Sequence, residues 1–290
     1  MPSLSVTAYH EISAVLIPTV IKAHDRPIDM VYDLHAHILP GVDDGARIPD
    51  ETVDMARVAA EDGTQVILAT PHRKDVTESS SVGHIRKLTG EMNTRIAAED
   101  IDLTLQLGME NHLDLELPQD YSNGRALAMN GSRYILVEMP FFGRPNYVES
   151  VLFDLQVRGL IPVLAHPDRI EAFQKEPDFL VDLVERGMLT QITAGSIVGH
   201  FGGRVKRFTE TLLRRGLCHI LASDTHLPRG PRSPQLRYCV EAAEKLVGPE
   251  RARAMVVERP RAILANLDVI VEPPRPAGGE SRWWRFWKSG

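Results

Sequence analysis

The sequence predicts an α/β fold of repeated βα units, with a barrel favoured over an open sheet. Three observations carry this reading. Short apolar, β-branched runs alternate with longer helix-patterned segments through the middle of the chain. About seven such strands can be read, which suits a barrel. His, Asp and Glu residues recur at the ends of those strands, where a βα barrel gathers its active site. A single domain of this kind can absorb the 290 residues, and a hydrophobic content of 43% supplies its core.

Residues 1–28 read as an N-terminal extension. Its apolar stretch from Ile12 to Ile21 is too short to span a bilayer and contains Pro18, and no Lys or Arg precedes it as a signal peptide would need. The domain proper runs over 29–268. Val31 to His35 is the first strand, and Pro49 and Asp50 signal a helix over Glu51 to Asp62. The β-branched run Gln65 to Thr70 is a strand that stops at Pro71, and Val82 to Asp100 has helical spacing. Leu103 to Gly108 and Tyr134 to Glu138 are strands joined by a polar, Gly-containing connection. Helix Tyr147 to Arg158 leads to strand Ile161 to Ala165, and helix Asp178 to Arg186 to strand Leu189 to Thr193. Helix Arg204 to Arg215 precedes the last strand, His219 to Ala222, and helices over Pro234 to Leu246, Pro249 to Val257 and Pro260 to Asn266 close the domain. Residues 269–290 read as a flexible Pro/Gly linker, rich in Pro and Gly from Pro273, with a tail containing Trp283, Trp284 and Trp287. Trp beside Arg in that tail suits a weak contact with a membrane interface or a partner groove, against the plainer reading of a disordered end.

The formal net charge of -6 offers no basic track for nucleic acid. Cys218 and Cys239 match neither a disulfide framework nor a zinc ribbon, which fits a cytoplasmic protein.

The chemistry lies in one positional pattern. His35 and His37 end the first strand, with Asp43 and Asp44 in the loop beyond. His72 follows the second strand, Glu110 the third, and Glu138 ends the fourth. His166 follows the fifth, and Asp224 and His226 follow the last. A single strand-end His is more often a hydrogen-bonding residue than a ligand, but recurrence at successive strand ends argues against an all-structural set. His10, His24, His84, His112, His200 and His219 lack that placement and read as ordinary residues. Imidazole and carboxylate without thiolate suit Mn, Fe or Zn. So many ligands exceed the needs of one ion, so a two- or three-metal centre is expected, of the kind that activates water and clamps a phosphoryl group.

Asp33-Leu34-His35-Ala36-His37, Val42-Asp43-Asp44-Gly45, Thr70-Pro71-His72-Arg73, Gly108-Met109-Glu110, Ala165-His166-Pro167-Asp168-Arg169 and Ser223-Asp224-Thr225-His226 occur in that order. This set resembles the PHP (polymerase and histidinol phosphatase) family, and within it the capsule-type CpsB/CapC-like bacterial tyrosine-protein phosphatases. The resemblance covers roughly residues 29–268 and implies a distorted (β/α)7 TIM-like barrel of the PHP type. It implies manganese-type sites: His35, His37, Glu110 and Asp224 around one ion, Glu110 bridging to a second with Glu138 and His166, and Asp44, His72 and His226 around a third. Asp43 is the less favoured of the acidic pair, with loop capping as its alternative.

Guanidinium matches phosphoryl oxygens, so Arg169, in the family's His-x-x-Arg position, is expected to bind phosphate. A second family arginine follows the Asp-x-His motif, and here Arg229 and Arg232 flank the place; a one-residue insertion selects Arg232. Catalytic roles then fall to Arg169, Arg232, Asp224 and His226. Arg73 is read as either a phosphate contact or a structural ion pair. The implied reaction is hydrolysis of phosphotyrosine by a metal-activated hydroxide. The implied substrate is the tail of a bacterial tyrosine kinase controlling polysaccharide export. No Cys-x5-Arg loop is present, which excludes the thiol-phosphate route. Two alternatives stand beside this reading: a histidinol-phosphate phosphatase or other small phosphomonoesterase, and a catalytically silent metal-binding module.

Overall fold

The structure, a computed structural model, describes residues 30–275. The N-terminal extension expected over 1–28 and the Trp residues of the tail lie outside the described residues. The strands are β1 (Val31–Ala36), β2 (Thr64–Ala69), β3 (Thr104–Leu107), β4 (Asn111–His112), β5 (Tyr134–Glu138), β6 (Ile161–Ala165), β7 (Leu189–Thr193) and β8 (Ile220–Ala222). Every pairing is parallel, β1-β2-β3 in one sheet and β4-β5-β6-β7-β8 in the other. The fold is therefore mixed α/β with parallel sheets.

The third expected strand, Leu103 to Gly108, appears as β3, and a short strand that the sequence did not announce, β4, follows it. β3 pairs with β2, and β4, only three residues further on, pairs with β5, so one stretch of chain passes from sheet to sheet. Gly108 lies in the break, where a Cβ would sit 3.2 Å from Leu68 Cδ2. Isolated parallel bridges join His72 to Glu110 and Ala36 to Thr225. At the second, His37 N donates to Thr225 O at 2.8 Å and Asp224 N to His35 O at 2.9 Å. Strand-end segments that carry candidate ligands thus bond directly to one another.

The helices are α1 (Pro49–Glu61), α2 (Arg73–Ser79), α3 (Val82–Ala98), α4 (Leu117–Ser122), α5 (Val148–Val157), α6 (Glu171–Lys175), α7 (Pro177–Glu185), α8 (Ala194–Val198), α9 (Gly203–Arg215), α10 (Arg237–Val247), α11 (Pro249–Val256) and α12 (Glu258–Leu264). The long ones match expectation apart from their ends. Helix α10 begins after the expected Pro234, because Asp62 Oδ2 accepts from Leu236 N at 2.6 Å and Arg237 N at 2.8 Å and caps it from across the fold. Helix α12 begins before Pro260, which its first turn tolerates because the missing N–H has no partner there. None of the described helices is long and apolar enough to cross a membrane.

Period-2 geometry sorts each strand. On β5, Tyr134, Leu136 and Glu138 share a face; on β7, Leu189, Gln191 and Thr193 do. Tyr134, Leu136 and Leu189 join Leu34, Val163 and Ile220 in one buried apolar cluster, which therefore collects residues from both sheets. Glu138, Gln191 and Thr193 continue those faces toward the carboxyl ends with polar groups. A larger cluster packs Leu152, Leu155, Leu180, Leu212 and Leu213 of the helices against the outer strand faces. Residues 269–275, expected to belong to the linker, pack on the domain. Val269 N donates to Tyr134 Oη at 3.1 Å, Val269 and Val271 pack on the apolar cluster, and Arg275 N reaches Arg215 O at 2.8 Å. These apolar residues hold 269–275 against the domain.

Candidate metal centre

All nine expected ligands converge. Four overlapping groups of ligand atoms, each with its members within 4.8 Å of one another, are formed by His37, Asp44, His72 and His226; His35, His37 and Asp224; His35, Glu110 and His166; and His72, Glu110 and Glu138. His35, His37, Glu110, His166 and Asp224 are all at most 1% exposed. Asp44 is the exposed member, on the solvent side of the cluster.

The innermost spacing suits a cation. His35 Nε2 lies 3.2 Å from His37 Nε2, 3.3 Å from Glu110 Oε2 and 3.7 Å from Asp224 Oδ1. His37 Nε2 lies 3.3 Å from that Glu110 oxygen and 3.6 Å from that Asp224 oxygen. Ligands about 2.1 Å from a tetrahedral ion stand about 3.4 Å apart, so these edges have the length that a coordination shell requires. Two imidazole nitrogens facing each other also make a poor proton-only network, since both cannot donate. Beside this shell, His166 Nε2 is 2.8 Å from Glu110 Oε1 and 3.5 Å from Glu138 Oε1. Asp44 Oδ1 is 3.2 Å from His226 Nε2 and 3.4 Å from His72 Nε2.

Neighbouring groups orient the imidazoles. Gln191 Oε1 is 2.9 Å from His35 Nδ1, and Asp43 Oδ2 is 2.8 Å from His37 Nδ1. Each fixes the ring so that Nε2 turns inward, the usual arrangement around a metal. Asp43 Oδ1 also accepts from Gly45 N at 3.0 Å, so its carboxylate caps the loop as well. Gln191 was not anticipated from the sequence; its signal is a polar residue on the apolar-started face of β7. His112, read as an ordinary residue, sits 3.5 Å from Glu138 Oε2. His219 is buried away from the cluster with Thr190, and His200 bonds Pro231 O.

Electrostatics point the same way. Burial alone would depress His37 and His72, but bonds from Asp43 and Glu110 lift His37 to about 10, and bonds from Asp44 and Glu110 lift His72 to about 11. Burial alone would raise Glu110 and Asp224; His35 and His166 pull Glu110 well below its usual range, and Arg169 and His35 do the same for Asp224. The cluster therefore holds anionic carboxylates that demand cations, whether protons on imidazole or metal ions. Backbone strain accompanies it: His166 has φ 33° and Asp224 φ 54°, left-handed conformations that cost non-glycine residues about 1–3 kcal/mol each.

Two arginines border the cluster. Arg169 donates from Nη2 to Asp224 Oδ2, and Arg232 from Nη2 to Asp224 Oδ1 at 3.0 Å. Arg232 is brought there because the chain folds back, with His226 N and Leu227 N donating to Arg232 O at 3.0 and 3.2 Å. Arg229 is exposed instead and lines a surface hollow with Glu61 and Asp62. Arg73 is buried and paired with Asp114 and Asp120, a structural role. Both cysteines are buried free thiols, and burial pushes Cys239 up to about 12 and Cys218 higher still, which removes them as nucleophiles.

A parallel α/β fold with a buried His/carboxylate cluster at its strand ends suits the class of metal-dependent hydrolases. A family model described as capsular polysaccharide synthesis, CpsB/CapC, matches residues 31–265. The chain belongs to the CpsB/CapC family. The tyrosine-protein phosphatase YwqE of Bacillus subtilis (strain 168) is 36% identical over 244 residues, 84% of this chain and 95% of that protein. The tyrosine-protein phosphatase CpsB of Streptococcus pneumoniae is 26% identical over 81% of this chain and 98% of that protein. A crystal structure from work on these two proteins, described as unique metal-dependent tyrosine phosphatases, superposes with a TM-score of 0.80 at 36% identity, over 85% of this chain and 99% of that one. The fold alone is shared with the phosphotriesterase homology protein of Escherichia coli, at a TM-score of 0.54 and 11% identity over 82% of this chain and 100% of that one.

Proposed function

We propose that this chain is a metal-dependent protein-tyrosine phosphatase acting in capsular or exopolysaccharide synthesis. The observation that carries the reading is the convergence of nine ligand side chains with Arg169 and Arg232 at their edge, in a chain of the CpsB/CapC family. In this reading His35, His37, Glu110 and Asp224 would hold one ion, Glu110 with Glu138 and His166 a second, and Asp44, His72 and His226 a third. Manganese is the proposed metal. Bound ions supply Lewis-acid polarisation of the phosphoryl group and an activated water. Arg169 and Arg232, which meet at Asp224, would offset the charge of the phosphoryl oxygens. Asp224 couples the two halves of the site, since one carboxylate meets both arginines and both imidazoles of the His-x-His pair.

The two sheets are read as one distorted seven-stranded barrel of the PHP type, supported by the Ala36–Thr225 bridge and by the apolar cluster shared between them. The proposed substrate is a phosphotyrosine segment, such as the tail of a tyrosine kinase. The proposed location is the cytoplasm, with a weak membrane or partner contact through the Trp-rich tail. Phosphate release by the metal-loaded protein from a phosphotyrosine peptide, measured beside histidinol phosphate, tests the reading. Folded, metal-loaded protein that releases none from the peptide overturns it.

A further inference from the structure

The solvent-exposed large apolar side chains include Ile48, Leu115, Phe141, Phe142 and Leu227, and each of these lies in a segment that follows a strand, on the side of the fold where the ligands sit. Within that rim, Phe141 is set apart by its contacts. It is 40% exposed, yet its ring stacks on candidate ligand His166, with centroids 5.3 Å apart and planes 6° from parallel. The Arg169 guanidinium lies 5.5 Å from the Phe141 centroid and 4.7 Å from that of Phe201. The loop is pinned, since Glu171 N donates to Phe141 O at 3.0 Å and Gly143 N to Glu171 Oε2 at 3.2 Å. A phenyl ring is thus fixed partly in water beside the phosphate-side arginine, a position that core packing does not require.

We propose that Phe141 is a specificity-determining residue that receives the aryl ring of the substrate ester and selects aryl over alkyl phosphates. The inference rests on the phosphatase reading above. An ester phosphate held by Arg169 places its first carbon one ester oxygen beyond phosphorus. If that carbon belongs to an aromatic ring, the ring falls within reach of the Phe141 face, in the range of about 4.5–7 Å at which aromatic pairs attract. An alkyl ester presents no ring and gains nothing from the contact.

The test compares binding of phenylphosphonate and methylphosphonate to the metal-loaded full chain by calorimetry, and kcat/KM for a phosphotyrosine peptide and its phosphoserine counterpart. Phe141→Ala is expected to weaken phenylphosphonate binding about three- to tenfold, the size of one aromatic pair, with methylphosphonate binding and metal content unchanged. The phosphotyrosine peptide should lose the same factor through KM, and Phe141→Tyr should restore both. Equal loss on aryl and alkyl ligands, or lost metal, would mean that Phe141 only supports His166 and would overturn the proposal. So would an unchanged affinity ratio. Failure of the phosphatase reading shows separately, as wild-type protein that hydrolyses no phosphotyrosine peptide, while the phosphonate ratio still reports on Phe141.

Discussion

Gly45 offers a sharp test of the site's construction, because the loop carrying Asp43 and Asp44 touches the backbone of the strand end that carries His37. A Cβ on Gly45 would stand 1.9 Å from His37 O and 2.6 Å from His37 C and Cβ, where real contacts keep beyond 3.0 Å. Backbone cannot yield as a flexible side chain would, and Ala46 N is bonded to the same His37 O at 3.1 Å. In Gly45→Ala the segment must retreat by about 1 Å, and displacement of that size in a catalytic constellation costs on the order of 10²-fold in rate. Asp44 is drawn away from His226 and His72, its partners at 3.2 and 3.4 Å, and Asp43, whose Oδ1 accepts from Gly45 N, is drawn away from His37 Nδ1. We therefore expect a lower metal content and a fall in kcat/KM of roughly 10²-fold. Metal content by plasma mass spectrometry, phosphate release and thermal unfolding are measured on the same preparation. Wild-type stoichiometry and rate in a folded variant would refute the reasoning.

Three further outcomes follow from the same geometry. His37→Ala removes an imidazole shared by two ligand groups and should abolish turnover while circular dichroism remains native; retained turnover would remove His37 from the centre. Asp43→Asn keeps a hydrogen-bond acceptor beside His37 Nδ1 but removes its charge, so metal affinity measured by chelator competition should fall about 10- to 100-fold, and unchanged affinity would count against an orienting role. His219 concerns acid stability: burial holds it neutral with its value lowered to about 3, so the unfolded chain binds a proton that the folded chain refuses. That contribution is complete above the unfolded value and is lost as pH falls from there toward about 3. In chelator-treated protein, His219→Asn should flatten the stability curve in that window by up to about 1.4 kcal/mol per pH unit, and parallel curves would rule the assignment out.

The clustered residues were legible because strand periodicity and position are local signals. Once Val31–Ala36, Tyr134–Glu138 and Ile161–Ala165 are recognised as parallel strands, His35, Glu138 and His166 fall at one end without further information. What escaped depends on contacts across the chain. The break between β3 and β4 answers to two different partner strands, and no pattern within Leu103–His112 announces it. The start of α10 is set by Asp62, distant in sequence. Gln191 acquires meaning only when its side chain meets His35 from the other sheet, and Arg232 is separated from Arg229 by a fold-back that spacing alone leaves open. The short helices α2, α4, α6 and α8 hold too few turns to show a period.

The same inner faces explain how the fold tolerates its own site. Toward the strand starts, Leu136, Val163, Leu189 and Ile220 make an apolar plug that needs no partner beyond dispersion and burial. One step further along β5 and β7, Glu138 and Gln191 replace them, and beyond the strand ends the carboxylates of Glu110 and Asp224 are at most 1% exposed. Anions so far from water are costly unless paired, and Arg169 and Arg232 serve only one of the two. Among the described residues no arginine pairs with Glu110; its oxygens face His35, His37, His72 and His166. If those imidazoles were all protonated, like charges would crowd within 3.2 Å at His35 and His37. If they were neutral, the carboxylate would stand uncompensated. A cation among Nε2 atoms and carboxylate oxygens resolves both faults, because it leaves the imidazoles neutral while supplying the charge that Glu110 lacks. The plug below then has a second use: it keeps water from approaching the ligands from beneath and leaves the rim bearing Arg169, Arg232 and Phe141 as the side open to solvent.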